Sequence, residues 1–222
     1  MIIHRLEELS GLMAGKSEIS NCINYGNVTL GDEGGIYTGG IVGAAGVTDE
    51  IRVYNCINEG KIKGIITTGG IVGMISTRGT IEKCSNIGEI ISSKVGGGIV
   101  GHMNQKNGQS YSVIRECYNS GSVSGIQLVG GIVGYLCGES QQGTVEKCYN
   151  KGGVSASNGD VGSIIGKQIK YDSNAKLENL YYLNTVGVYA VNNQEQYNNE
   201  TIKEVEDDLK TYEEFIEWIK TK

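Results

Sequence analysis

One short string, Gly-Gly-Ile-Val-Gly, occurs four times, at residues 39–43, 69–73, 97–101 and 130–134. A weaker copy is Gly162-Ser163-Ile164-Ile165-Gly166, and Gly11-Leu12-Met13-Ala14-Gly15 reads as a decayed first one. The isoleucines at its centre, Ile41, Ile71, Ile99, Ile132 and Ile164, recur at a nearly constant interval. Self-similarity at this period restricts the chain to a stack of supersecondary units, because a unit of this length cannot bury an apolar face alone and does so against its neighbours.

Each unit carries a second signature: an aliphatic residue, two residues, Cys, any residue, Asn, any residue, Gly, any residue, then Val or Ile. It reads Ile19, Cys22, Asn24, Gly26, Val28, and then Val53, Cys56, Asn58, Gly60, Ile62. It recurs from Ile81 to Ile90, Ile114 to Val123 and Val145 to Val154, with Leu177 and Leu180 in a divergent sixth copy. Cys, Asn, Gly and the closing aliphatic share parity, so in a strand they face one side, and the apolar Cys and Val/Ile make that side inward. The first aliphatic breaks this parity. A bend or bulge between it and Cys, with pairs such as Glu82-Lys83 and Glu146-Lys147 outside, restores it. An inward Asn needs partners, which the backbone of its own bend and the Asn of the next rung can supply.

The two signatures keep a fixed distance in one direction. Cys56 to Gly73, Cys84 to Gly101 and Cys117 to Gly134 are equal steps along the chain, and Cys148 to Gly166 is one position longer. The return from the last glycine of a string to the following cysteine is elastic, shortest from Gly73 to Cys84 and longest from Gly101 to Cys117. Fixed lengths belong where rungs stack and elastic ones to loops on an edge. The variable segments near 44–52, 74–80, 102–113 and 135–143 are rich in small polar residues and are where recognition is expected.

Composition supports a stack of thin layers. Of 222 residues 35 are glycine, one is phenylalanine and none is proline. Such a chain lacks the large side chains to fill a wide core, while its backbone N–H groups are available for ladders. No run of 18 apolar residues marks a membrane helix, and residues 1–15 do not read as a signal peptide. The formal charge of −6 argues against nucleic acid. Most of it sits in residues 195–222, with nine acids and four lysines; the rest of the chain has 16 acids against 15 bases and is nearly neutral.

Candidate chemistry is sparse. A phosphate-cradling loop needs a following helix, and the glycine strings here show no helical periodicity after them. Cys22, Cys56, Cys84, Cys117 and Cys148 share one repeat position and are expected as a buried column of thiols. They lack the spacing of a zinc site. Cys137 lies off that register and reads as a strand residue. Of the two histidines, His4 and His102, the latter follows a glycine string where other units carry Ala44, Met74, Tyr135 and Lys167, which reads as a surface or edge position. Asp32-Glu33 and Asp49-Glu50 are the places where calcium would be considered, although neither shows spaced oxygen ligands. Tyr118 and Tyr149 have outward parity, as a half-exposed aromatic ladder or a ligand-contacting stripe. No catalytic, cofactor-binding or metal residue is expected.

After Tyr181-Tyr182-Leu183-Asn184 the pattern stops. Ile202, Val205, Leu209, Tyr212, Ile216 and Ile219 then fall at three- and four-residue steps, predicting two short helices or one broken helix packed on the last rung, with Phe215 and Trp218 at the margins. Thr211 and Glu214 predict a capping box for a helix over 212–220. The expected organisation is an all-β solenoid of five to six repeats over 1–190, then a polar linker and helical cap over 191–222.

The paired half-motifs resemble the GLUG motif repeats, carried here by Gly40-Ile41-Val42-Gly43, Gly70-Ile71-Val72-Gly73, Gly98-Ile99-Val100-Gly101 and Gly131-Ile132-Val133-Gly134 and by the five Cys-x-Asn-x-Gly strings. The likeness spans residues 11–187. It implies a secreted or cell-surface bacterial protein, adhesin-like, or a non-catalytic portion of an immunoglobulin A-cleaving metallopeptidase, with no shared catalytic residues. The HExxH zinc motif of those peptidases is absent. The expectation is a non-enzymatic spacer or scaffold for a surface protein or glycan, as a monomer or within a longer protein; the alternative is a carbohydrate-active β-helix enzyme.

Overall fold

The structure is a computed structural model, and it describes all residues except 1–3, 7–10, 32–34, 46–49, 77, 106–110, 139–142, 171–174, 184–188, 193–200, 207 and 222. Its body is a parallel β-solenoid of about five turns. One full turn shows the plan: strands Gly79–Glu82 and Ser85–Asn86, then Ile90–Ser92, Val95–Gly97 and Val100–Gln105. Each pairs in parallel with its equivalents above and below, giving sheets of 12, five, five and six strands. In this register the repeat positions meet: Asn58 opposes Asn86, Asn86 opposes Asn119, and Val72 opposes Val100.

The break in parity is a corner. Asn21, Asn55, Lys83, Glu116, Lys147 and Asn179 all have φ near +50° and each precedes the column position held by Cys or Leu180. This turns the chain so that both Ile81 and Cys84 point into the core. Asn tolerates this left-handed conformation better than most residues, yet Lys and Glu adopt it here, so the stacked strands on both sides impose it. The cysteine fits the corner chemically as well as sterically: Cys56, Cys84, Cys117 and Cys148 each donate a thiol hydrogen to the carbonyl two residues back, at 3.2–3.3 Å.

Two apolar columns run along the axis. The larger lies between the corner strands and the Gly-Gly-Ile-Val-Gly strands, where Ile71, Val72, Ile75, Ile81 and Cys84 are typical contributors. The smaller holds Val28, Ile62, Ile90, Val123 and Val154 against Val129. Burying each aliphatic contributes about 1.5–3 kcal/mol, so the thin layers add up over several turns.

Between the columns stands a ladder of carboxamides. Asn24 Nδ2 donates to Asn58 Oδ1, Asn58 to Asn86, Asn86 to Asn119 and Asn119 to Asn150, at 2.7–2.8 Å. Each Nδ2 also donates to the carbonyl of the glycine two residues on, as Asn86 does to Gly88 at 2.9 Å. The buried amides are thus partnered by their own bend and by the next rung, as the parity argument required.

The two signatures interlock through glycine. A Cβ on Gly98 would lie 2.1 Å from the Gly131 carbonyl oxygen and 2.5 Å from Asn119 Cγ, and one on Gly88 would lie 2.0 Å from the Gly60 oxygen. Gly98 and Gly88 are therefore fixed by close approach between rungs. The fixed spacing has the same cause, since a shift would drive the glycine turn into the Asn ladder.

The C-terminal region departs from the helical expectation in part. Asn192 N donates to the Ile165 carbonyl, and Val191 and Ala190 are buried in the main core. Ile202–Glu204 forms a strand that pairs in parallel with Lys176–Tyr182, placing Ile202 opposite Leu180. Helix α1, Tyr212–Ile219, follows, capped as expected by Thr211 Oγ1 accepting from Glu214 N at 3.2 Å. The Glu214 carboxylate returns to Lys210 N at 2.7 Å. So Ile202 belongs to a rung, and among the described residues one helix stands where two short ones or a broken one were expected.

Candidate functional site

Repetition brings three outward columns of interest to the surface. The first is aromatic. Register places Ile57, Ser85, Tyr118, Tyr149 and Tyr181 in one line along the corner sheet. Tyr118 and Tyr149 stack at 5.7 Å between ring centroids, and Phe215 of α1 lies 5.9 Å from Tyr149 and 6.2 Å from Tyr118. Trp218 meets Tyr181 edge-on at 4.7 Å. Tyr118 Oη donates to the carbonyls of Leu209 and Lys210 at 2.8 and 3.0 Å, and its burial pushes the phenol up to about 12. The stripe read as half-exposed is buried beneath the tail, so it is no ligand-contacting face in this state. Phe215, expected at the margin, is the centre of the contact and has no exposed surface. The helix therefore lies along the flank of the last three turns, while the strand Ile202–Glu204 covers their end.

The second column is ionic. Arg52 spans Glu18 at 3.4 Å and Glu82 at 3.1 Å, and Arg115 reaches Glu82 at 3.1 Å. Burial alone would raise the Glu82 carboxyl, but hydrogen bonds and charge from Arg115 and Arg52 outweigh it and hold it below its ordinary value. Glu82 points out of the core, as expected of the Glu82-Lys83 pair, but the two arginines cover it to 7% exposure. This is a strut between rungs.

The third lies on the Gly-Gly-Ile-Val-Gly strands. Beyond the string, register aligns Ala44, Met74, His102, Tyr135 and Lys167, and two residues further on Ser76, Asn104, Cys137 and Ile169. His102 and Cys137 are half-buried on adjacent strands, Val100–Gln105 and Val133–Gly138, so Cys137 is the strand residue it was read as, and the variable segments from 102 and 135 begin as strand. The His102 imidazole Nε2 lies 3.1 Å from Cys137 Sγ, its ring stacks on Tyr135 at 4.8 Å, and Cys137 Sγ lies 3.6 Å from Asn104 Oδ1. Sequence reasoning treated His102 and Cys137 separately; the signal joining them is their positions one and three residues after successive glycine strings.

The five column cysteines are thiols and are buried. Burial, with Cys56 adding to it, pushes Cys22 up to about 11. A hydrogen bond with Cys84 and burial raise Cys56 further, and burial raises Cys84 and Cys117 well above the ordinary range. Among the described residues no three His, Cys, Asp or Glu groups converge as a metal site requires. Asp32, Glu33 and Asp49, considered for calcium, lie outside the described residues, as do most of the elastic connections at 46–49, 106–110 and 139–142. No helix among the described residues is long and apolar enough to cross a membrane.

No family model matches this sequence, and no curated protein matches it. Among solved structures the chain is similar to a crystallised Bacteroides ovatus protein described as a "putative immunoglobulin A1 protease". The TM-score is 0.62 at 19% identity, over 97% of this chain and 70% of the other. At that identity the likeness shows a shared fold.

Proposed function

We propose that this chain is a non-catalytic solenoid module of a secreted or cell-surface bacterial protein, a scaffold of the GLUG-repeat type that displays variable edge segments to a surface protein or glycan. One observation carries the reading: the Cys, Asn and Gly that define the repeat are consumed by stacking. The Asn carboxamides bond to one another, the column thiols bond to corner carbonyls, and the glycines are filled by neighbouring rungs. What the repeat preserves is the stack, and what it varies is the return segment. A nearly neutral body gives little electrostatic steering, so one module would bind modestly and gain through multivalency in a longer protein. The fold shared with the Bacteroides ovatus protein supports a more specific version, in which the module is an accessory region of a larger surface peptidase.

The test is to replace residues 106–110 and 139–142 with Gly/Ser segments and screen parent and variant against host glycans, surface proteins and immunoglobulin A. Binding by the parent that the folded variant loses supports the assignment. Turnover of a polysaccharide or peptide by the intact chain overturns it in favour of an enzyme.

A further inference from the structure

Five of the six thiols are buried at a corner and donate to carbonyls, but Cys137 sits half-buried on an outward column beside an imidazole. We propose that His102 and Cys137 form a proton-sharing pair that makes Cys137 a covalent modification site, one that takes up disulfides from low-molecular-weight or protein partners. The sulfur meets the adjacent strand at two points: His102 Nε2 lies 3.1 Å away, and Asn104 Oδ1, at 3.6 Å, is the more distant acceptor for the same thiol proton. Transfer of the thiol proton to Nε2 leaves a thiolate that accepts a hydrogen bond from the imidazolium. A cysteine beside a protonated histidine ionises below its ordinary range and becomes the better nucleophile near neutral pH. Tyr135, stacked on His102, holds the ring in place and presents a π face to the cation that forms.

Other polar and charged groups stand on this face. Lys167, the next register partner of Tyr135, is held by Asp160 at 2.7 Å, and on the opposite side Met74 and Ser76 stand opposite His102 and Asn104. Lys170 lies opposite Gly138 in the outer pairing. The exchange is balanced: the Cys137 thiolate attacks one sulfur of a disulfide R–S–S–R, the Cys137 Sγ–S bond forms as the old S–S bond breaks, and the departing thiolate takes the proton from the His102 imidazolium. The products are the mixed disulfide on Cys137 and one free thiol.

The experiment treats the full chain with oxidised glutathione and, separately, follows iodoacetamide alkylation across pH, locating the adduct by peptide mass. The expected result is one rapidly reacting thiol per chain, at Cys137, whose alkylation rate rises with an apparent pKa below the ordinary value of about 8.5. Cys137→Ser should abolish this phase. His102→Gln, which keeps a hydrogen-bonding side chain but cannot take the proton, should slow it at neutral pH by about tenfold and return the apparent pKa to the ordinary range. A rapid phase at another cysteine, or at Cys137 with an ordinary pKa in the unmodified chain, overturns the proposal without any variant having to fold. An unchanged rate in His102→Gln overturns it too.

Discussion

The two ends of the solenoid are built differently. At the C-terminal end the core continues into Ala190, Val191 and Ile202, the last rung is paired by the strand Ile202–Glu204, and α1 lies along the flank. At the other end Leu12 is 64% exposed, and Gly11, Leu12, Met13, Ile19, Ile41 and Val42 line a shallow apolar recess. His4–Leu6 pairs with Cys22–Asn24 there, covering one strand of the first turn. The ordinary repeat unit cannot seal a stack, because its apolar face and strand edge are made to meet another copy of itself. Sealing takes a segment that changes its chemistry midway, first a strand to satisfy the edge and then an amphipathic helix to shield the flank.

The sharpest way to break the comparison is to substitute glycines. Gly98→Ala in the middle of the stack forces a Cβ against the Gly131 oxygen and the Asn119 side chain, whereas none of the described residues comes within 4 Å of a Cβ on Gly11. We expect Gly98→Ala to cost on the order of 3 kcal/mol or more, or to prevent folding, and Gly11→Ala to be within about 0.5 kcal/mol of neutral. Thermal unfolding of both variants decides it, and equal losses would mean that the interior rungs are no tighter than the first.

Next is Phe215→Ala, which empties the centre of the tail contact. It should cost about 3 kcal/mol, with the docking energy of the tail as its ceiling. The single tryptophan, Trp218, reports the event: its fluorescence in urea should change ahead of the circular dichroism of the β body, and a single coincident transition would show that tail and stack unfold as one. Asn86→Ala is the third. It removes one rung of the ladder in the middle, taking from Asn58 Nδ2 its acceptor in the next rung and from Asn119 Oδ1 its donor, at roughly 2–3 kcal/mol. Asn24→Ala, which severs the ladder at its first step only, should cost about half as much, measured by urea midpoint.

The smallest effect is ionic. Glu82 has a lowered folded pKa, so its contribution is present above its ordinary value of 4.5 and is lost as pH falls through the lower folded value. Its arginine partners are about two-fifths exposed, which limits the contribution to about 1 kcal/mol or less. Glu82→Gln should therefore lower stability slightly at pH 7, and the gap to the parent should close at acid pH.

The stack was legible because its determinants are periodic. Parity alone put Cys84 and Asn86 inside and required a bend between Ile81 and Cys84, and the corner at Lys83 supplies it. The tail was legible only in part. Spacing of three and four residues identifies an apolar stripe but not what it lies on, and Ile202 with Val205 fits that spacing although Ile202 sits in a three-residue strand. Outward parity for Tyr118 and Tyr149 was right, yet parity says nothing about a segment from much later in the chain arriving to cover them. The His102–Cys137 contact was hidden for a related reason: it is diagonal, between different positions of adjacent rungs, and becomes visible only once the register of that pair of strands is known.

All four carboxamide bonds of the Asn ladder point the same way, each Nδ2 toward the following rung. Their dipoles add, with amide hydrogens toward the C-terminal end and oxygens toward the other. Each bond polarises the next, so an amide in the middle is a better donor and acceptor than one at either end. The column is thus an electrically directed axis, and a rung added in the opposite sense would set like poles together. Stacking in this molecule has a polarity written into its side chains as well as into its parallel strands.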